Sequence, residues 1–409
     1  MSRKKIIVPL ILVLVIACYF VFFHKDKNLQ YVPENADAVA LVDMKKLTRQ
    51  YISSFVTHPS QWFDGKKGEQ ESRSVWDSGV EIPDFLQIFH LKNSGFSNWY
   101  TVIELKDHQK FLSFLKKHKF VNKGKNLYQK DHIFLTIDGN HCIAGTSEQD
   151  LTRVKNLLLH PSAKKKYNAD QFIEGTTGSI SFISGQKIKN FSIQLKEDEV
   201  EIKNTSKTET FNALLAKVQQ KARFLEVELD AENVKKFISF FNKGNNDIPE
   251  ITHYKAVAEL EQVNDTIVTY GYDDNFNEIE KKTFQKITQP TYVISIQSPT
   301  PENIWEYFQN KKWINSQNQF TIIPFQPNSV SKNKDEILIQ SARNKVQLSP
   351  DLQENYVFIK NDTLLSSSAS FINKGILSTV DYIFYGNKGK DYYIKLKGKK
   401  EKLPLILRR

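Results

Sequence analysis

The densest group of side chains that could bind a metal or act as a nucleophile lies within residues 131–142. Its members are Asp131, His132, Asp138, His141 and Cys142. Carboxylates, imidazoles and thiolates are the groups that bind zinc or transfer protons during hydrolysis. The same segment has the pattern of a β-hairpin, because an Asp-Gly pair between two apolar runs is a strong tight-turn signal. In that interpretation Asp138 serves the turn and Cys142 is a small buried strand residue, so we assign no catalytic or metal-binding residue here.

The rest of the sequence lacks the motifs of nucleophilic or cofactor chemistry. The serine-rich segment 178–185 does not contain Gly-x-Ser-x-Gly, and its partial alternation of Ile and Phe with Ser predicts a half-buried strand. The sequence has no Walker loop, no Gly-x-Gly-x-x-Gly, no His-Glu-x-x-His and no calcium loop. Outside the apolar N-terminal run Cys142 is the only cysteine, which excludes zinc sites built on two cysteines. We therefore expect no cofactor.

Four carboxylates stand close together at Asp273, Asp274, Glu278 and Glu280. We interpret them as a loop beside the start of a helix, where acidic residues stabilise the helix dipole. A structural role is therefore expected for them, and not a catalytic one.

The chain is basic, with a formal net charge of +11. Such an excess favours anionic surroundings, such as lipid headgroups or acidic polymers. Only eight of the 57 basic residues are Arg, however, and Arg supplies the bidentate contacts to phosphate and guanine. We therefore expect no nucleic acid partner, and we interpret the lysine runs at 116–119, 164–166 and 397–400 mainly as solvated surface.

A strand followed by a polar capping residue and an amphipathic helix recurs along the chain. The predicted strands are Ala38–Val42, Trp99–Leu105, Phe224–Leu229 and Tyr292–Ile296, with caps at Asp43, Asp107, Asp230 and Thr300. Hairpins lie between these units, and hairpins interleaved with single helices indicate an α+β fold with largely antiparallel sheets. The recurrence favours two related domains.

The predicted organisation has six parts. They are a cytoplasmic basic end (1–5), a transmembrane anchor (6–23), a tether (24–30), a first α+β domain (31–170), a middle hairpin and helix (171–220) and a second α+β domain (221–409).

The anchor is the apolar run from Ile6 to Phe23, which contains no charged residue and follows Arg3-Lys4-Lys5. Eighteen residues make a helix long enough to cross a bilayer, and flanking basic residues tend to stay in the cytoplasm. The chain is thus expected at the inner membrane, with its body in the periplasm. Two alternatives remain: lipidation of Cys18 in the lipobox-like Val-Ile-Ala-Cys, and cleavage as a signal peptide. Each also places the body outside the cytoplasm.

The segment Tyr31–Asp43, which reads YVPENADAVALVD, resembles a recurring start in uncharacterised bacterial membrane-anchored envelope proteins. In those proteins an anchor or lipobox precedes a Val-Pro-x-x-Ala strand and a helix, and the later Asp-Gly hairpin and helix at 138–158 are also similar. Because these families are of unknown function, the resemblance implies location and architecture only.

These observations favour a single-span, envelope-anchored binding or assembly module that makes and breaks no bond. One alternative is an envelope hydrolase whose carboxylate or His site is assembled only by the fold. Another is a structural subunit of a secretion or envelope-biogenesis complex. The expected partners are membrane lipid through residues 6–23, envelope proteins, and anionic headgroups or polymers.

Overall fold

The computed structural model describes residues 19, 22–57, 78–124, 126–159, 167–241, 249–323, 328–341, 346–349, 354–361, 379–400 and 405. The chain divides into two compact units, residues 1–197 with 401–409 and residues 198–400. Antiparallel sheet predominates and helices pack on it, which confirms the α+β class.

Unit 1 contains eleven strands and three α-helices among its described residues. The strands are β1 (Asn28–Leu29), β2 (Ala36–Asp43), β3 (Phe85–Leu91), β4 (Trp99–Glu104), β5 (Val121–Gly124), β6 (Leu127–Lys130), β7 (Ile133–Asp138), β8 (His141–Gly145), β9 (Tyr167–Asn168), β10 (Gly178–Ser184) and β11 (Lys187–Leu195). The helices are α1 (Met44–Thr57), α2 (His108–Lys117) and α3 (Leu151–Leu159).

The sheet of unit 1 is antiparallel, in the spatial order β11-β10-β2-β3-β4-β8-β7-β6-β5. One apolar cluster, which includes Phe89 and Tyr100, packs under α3. A second cluster packs Cys142 and its neighbours against Phe111 and Leu115 of α2. The predicted hairpin at 133–145 is confirmed, with Gly139 at a φ of 55° in the turn.

Unit 2 contains strands β12 (Glu199–Lys203), β13 (Leu225–Asp230), β14 (His253–Tyr272), β15 (Glu278–Gln297), β16 (Asn328–Lys332), β17 (Glu336–Ser341), β18 (Asn355–Lys360), β19 (Val380–Lys388) and β20 (Asp391–Gly398). Its described helices are α4 (Glu209–Gln219), α5 (Ala231–Phe241) and α6 (Pro301–Asn310). The sheet is antiparallel, in the order β12-β20-β19-β18-β13-β14-β15-β17-β16.

Three of the four predicted helix caps make a side-chain capping hydrogen bond. The carboxylates of Asp43, Asp107 and Asp230 accept hydrogen bonds from the backbone amides three residues later, at 2.8, 3.0 and 2.9 Å. These bonds satisfy amides that a helix leaves without a partner in its first turn. Thr300 is the N-cap residue of α6 and Pro301 opens the helix, as predicted, but the Thr300 side chain makes no capping hydrogen bond.

The predicted anchor falls mostly outside the described residues, and of residues 6–23 only Tyr19, Phe22 and Phe23 are described. Within the described parts of the chain, no helix combines the length and the apolar character needed to cross a membrane.

Candidate interaction site

The hairpin formed by β14 and β15 is much longer than the sheet to which it belongs. Twenty residues of each strand pair in continuous register, from His253 with Gln297 to Tyr272 with Glu278. The neighbouring strands end early, since β13 pairs with β14 only as far as Ala258 and β17 pairs with β15 only from Val293. Among the described residues, no third strand pairs with residues 260–290. We call this two-stranded extension the arm; thirteen residues at the rise of a β-strand give it a length of about 40 Å.

One face of the arm carries a stripe of exposed apolar side chains. Directly paired residues in an antiparallel ladder point to the same face, and so do residues two apart on one strand. The register therefore places Val268, Tyr270, Tyr272 and Phe284 on one face. Tyr270, Tyr272 and Phe284 are 68%, 71% and 74% exposed. A two-stranded hairpin is at best marginally stable alone in water, so a partner that covers this stripe would stabilise the arm.

The tip of the arm presents a single aromatic side chain in an unfavourable backbone conformation. Phe276 has a φ of 62° and is 87% exposed. A left-handed conformation costs a residue with a Cβ about 1–2 kcal/mol, whereas Gly and Asn tolerate it better. Asn residues stand at both neighbouring positions, 275 and 277. Local stability therefore does not account for a Phe here, and backbone strain of this kind concentrates at functional sites.

The tip is also acidic. Residues 260–290 contain six carboxylates and three lysines, a net charge of −3 in a chain whose total is +11. All three lysines lie on the returning strand, at Lys281, Lys282 and Lys286, so residues 270–280 carry four carboxylates and no basic residue. A predominantly basic protein thus carries an acidic, aromatic end on its most extended element.

The four carboxylates predicted to flank a helix start are those of this tip. That prediction was wrong, because Glu278 and Glu280 lie on β15 and the segment is a hairpin. The sequence did contain a signal for it: Val268-x-Tyr270-x-Tyr272, followed by Asp-Asp-Asn-Phe-Asn, is a strand alternation ending in turn residues.

The fold pairs Asp138 with His141 across the β7–β8 turn but does not gather the cluster within residues 131–142 into one site. Cys142 is fully buried against α2, and burial raises the pKa of its thiol to about 12. The strand pleat turns the adjacent His141 to the other face, where its ring lies 6.0 Å from that of Tyr31. Asp138 pairs with Lys155 at 3.0 Å. Within the described residues, no three His, Cys, Asp or Glu side chains are grouped so as to hold a metal ion.

Three residues of unit 1 resemble a hydrolase triad that the sequence did not indicate. The Nδ1 atom of His90 lies 2.5 Å from Asp37 Oδ1, and its Nε2 atom lies 3.1 Å from Ser94 Oγ. The Nε2 atom also lies 3.0 Å from the carbonyl of Gly95, and the Ser94 hydroxyl donates to the carbonyl of Leu91 at 2.8 Å. Both ring nitrogens thus face acceptors, and the hydroxyl proton is already committed. This geometry suits a side chain that closes the β3–β4 turn, and not a base that activates Ser94.

The depressions in unit 2 include one of about 580 Å³ at the end of β14 and β15 opposite the arm. It is lined by Thr252, Gln297, Ser298, Pro299, Asn333, Asp335 and Glu336. The hydroxyl of Ser298 donates to the carbonyl of Glu250 at 2.7 Å, and that of Ser295, just outside, donates to Glu336. The Ser298 hydroxyl and the Glu336 carboxylate are therefore already engaged with groups outside the depression.

A buried ion cluster surrounds Glu226 on β13, which is 1% exposed. Its carboxylate accepts hydrogen bonds from Lys221, Ser349 and Tyr356 at 2.7, 2.6 and 2.9 Å, and Arg223 lies 3.2 Å away. Burial alone would raise the pKa of Glu226, but these hydrogen bonds and the charge of Lys221 outweigh it and hold the pKa below its usual value. Every oxygen and ammonium group here has a partner, which indicates a structural core.

No protein-family model, no curated protein and no solved structure matches this chain. Among the described residues, the arm combines exposed aromatic side chains, a strained backbone at its tip and an acidic charge, none of which the fold itself requires. The arm is therefore the strongest candidate functional site.

Proposed function

We propose that this protein is a single-span, membrane-anchored module of the cell envelope that binds a partner protein through the arm and catalyses no reaction. The observation that carries the proposal is the arm, and above all Phe276 at its tip. An exposed aromatic residue held in a strained conformation supplies a large, preorganised contact, and buried aromatic anchors dominate the energetics of many interfaces.

The proposed partner is a protein with a lysine-rich surface around an apolar recess. The recess would receive Phe276, and Tyr270 and Tyr272 would lie along its rim. The carboxylates at Glu278 and Glu280 flank these tyrosines in the register, so a basic surface would complement them. The same charges disfavour binding of nucleic acid, acidic polymers or anionic headgroups at the arm.

The proposal places the chain at the inner membrane through residues 6–23, with residues 1–5 in the cytoplasm and the body in the periplasm. The support is the uncharged apolar run and its basic flank. Lipidation of Cys18 would keep the same side of the membrane and change only the anchor.

The proposal also treats the two units as related. In unit 1, β2 pairs with β3 and β10, β4 pairs with β3 and β8, β7 pairs with β8, and β10 pairs with β11. In unit 2 the corresponding strands pair in the same way: β13 pairs with β14 and β18, β15 pairs with β14 and β17, β16 pairs with β17, and β18 pairs with β19. Strands β13, β14, β15, β17, β16, β18 and β19 thus correspond to β2, β3, β4, β8, β7, β10 and β11. The arm then corresponds to the short β3–β4 hairpin of unit 1, lengthened after duplication.

The test is photo-crosslinking in intact cells that express the full chain. A benzophenone amino acid replaces Phe276, and a matched variant carries it at Phe96, an exposed Phe in the β3–β4 turn. We expect one discrete adduct from position 276 and none from position 96. The partner should also co-purify stoichiometrically, with Glu278→Lys/Glu280→Lys weakening its recovery and Phe276→Ser abolishing it. Equal adducts from both positions, or recovery unaffected by all three substitutions, would overturn the proposal.

A further inference from the structure

Helix α1 lies on the surface of unit 1 and contributes no fully buried residue. One of its faces packs on the protein: Gln50 donates to the carbonyl of Leu195 at 3.1 Å and Lys46 donates to the carbonyl of Gly175 at 2.6 Å. All four apolar side chains in its second half are exposed: Tyr51, Ile52, Phe55 and Val56 are 43%, 39%, 41% and 68% exposed. A helix that exposes this much apolar surface is unusual unless something covers it.

The other face of α1 meets the chain where the apolar N-terminal run ends. Arg49 donates a hydrogen bond to the carbonyl of Phe22 and lies 4.9 Å from the ring centroid of Phe23. Lys45 donates to the carbonyl of His24. The amide of Phe23 donates to the carbonyl of Tyr19 at 2.8 Å, which is a helical hydrogen bond. Arg49 therefore satisfies a carbonyl at the C-terminal end of a helical turn, where a positive charge is also favourable.

These contacts and the exposed apolar residues belong to one stripe. Lys45, Arg49, Ile52 and Val56 are spaced by four, three and four residues, the spacing of a single helical face. The first two touch residues 22–24, and the last two, with Phe55 beside them, continue the stripe away from that point. The stripe therefore lies in the same environment as the end of the apolar run.

We infer that α1 is an interfacial membrane helix, which lies against the lipid headgroups beside the anchor with this stripe towards the bilayer. The inference rests on the proposed anchoring through residues 6–23. Amphipathic helices bind membranes with an apolar face in the interface and basic residues at the headgroups. Arg49 reaches the headgroup level through its aliphatic stem, as long basic side chains do at membrane surfaces. Lys45 beside it pairs with Asp84 at 2.9 Å. Residues Tyr51 and Phe55 border the stripe as interfacial aromatic side chains.

The test measures the surroundings of α1 in the full chain. In a Cys18→Ser background, Ile52→Cys carries an environment-sensitive fluorophore, and Leu157→Cys on α3 is the matched control. Both residues are 39% exposed, whereas Cys142 is fully buried and does not react in the folded protein. The proteins are reconstituted into phosphatidylcholine–phosphatidylglycerol vesicles, with and without lipids that bear a nitroxide at the headgroup.

We expect a blue shift of the emission and strong nitroxide quenching at position 52, and neither at position 157. Val56→Cys should behave like position 52, which guards against a local effect of one label. Equal, weak quenching at 52 and 157 in protein that floats with the vesicles would overturn the inference and leave the anchor intact. A blue shift without quenching would also overturn it, since it indicates a protein contact. Failure to float would overturn both the inference and the anchor.

Discussion

The carboxylate of Asp273 accepts two hydrogen bonds from Asn277, one from the backbone amide at 2.8 Å and one from the side-chain amide at 3.1 Å. The amide of Asn275 donates to the same carboxylate at 2.8 Å. These bonds close the turn around Phe276 and hold its backbone in the left-handed region. The strained backbone at the tip is thus maintained by one acceptor, the Asp273 carboxylate, which makes the tip rigid and can be removed by substitution.

Replacement of the tip residue should separate stability from binding. Phe276→Asn places a residue that tolerates a positive φ, so the hydrogen-exchange protection of the arm should stay the same or rise, by up to about 1 kcal/mol. Recovery of the partner should fall at least tenfold, because the anchoring side chain is lost. Phe96→Asn is the control and should change neither quantity. A loss of arm protection in Phe276→Asn would contradict the strain argument.

The order of the tip should depend on pH through Asp273. Hydrogen bonds from the backbone amide and the side chain of Asn277 hold the pKa of Asp273 below its usual value of 3.8. A lowered carboxyl pKa means that the stabilisation is present above about pH 3.8 and is lost as the pH falls through the folded-state value. The protection factors for amide exchange at Asn275 and Asn277, measured by NMR, should fall only in that acid range. Asp274→Asn should leave the profile unchanged, and Asp273→Asn should remove it.

The buried carboxylate of unit 2 should be essential for stability. Glu226→Gln leaves Arg223 and Lys221 without their shared anion, and breaking one partner of a buried pair costs about 3–5 kcal/mol. Because the pKa of Glu226 is lowered, its contribution should be present above about pH 4.5 and be lost as the pH falls below that value. The matched control is Glu232→Gln, which breaks an exposed pair with Lys236 and should cost no more than about 0.5 kcal/mol. Urea unfolding over a pH series that descends from 7 to well below 4.5 measures both; equal effects of the two variants at pH 7 would refute the assignment.

A close approach in the core of unit 1 predicts a costly small substitution. A Cβ added at Gly145 would lie 2.5 Å from Cδ1 of the buried Tyr100 ring, so Gly145→Ala should destabilise the unit by about 1–3 kcal/mol. At Gly95 the nearest atom would be 3.7 Å away, and Gly95→Ala should be nearly neutral. Adding Tyr100→Leu should recover part of the loss in Gly145→Ala, as measured by thermal unfolding; no recovery would place the strain elsewhere.

The hydrolase alternative has a direct test at Ser94. Because the Ser94 hydroxyl donates to Leu91 and both nitrogens of His90 face acceptors, Ser94 should not react with a fluorophosphonate probe. Intact-mass analysis after incubation should show no adduct. An adduct that disappears in Ser94→Ala and in His90→Gln would favour the hydrolase over the binding module.

Local pattern was enough to predict most of the regular structure. The strands at 38–42, 99–105 and 224–229, and the helices after Asp43, Asp107 and Asp230, follow from apolar periodicity and from a capping carboxylate. Both signals act over a few residues and do not depend on the rest of the chain. The prediction failed at residues 273–280, where acidic residues fit a helix start and a hairpin tip equally well on sequence alone.

The sequence by itself determined the fold class, the apolar run and the lack of known catalytic motifs, because composition, periodicity and motif spacing are properties of contiguous residues. Tertiary structure decided the rest. Only the strand pairing shows that β14 and β15 extend beyond the neighbouring strands and so form an arm. Only the register places Tyr270, Tyr272 and Phe284 on one face, and only the packing of α1 brings Arg49 to Phe22. These features depend on residues far apart in sequence, whose proximity is set by the sheet as a whole and not by any local preference.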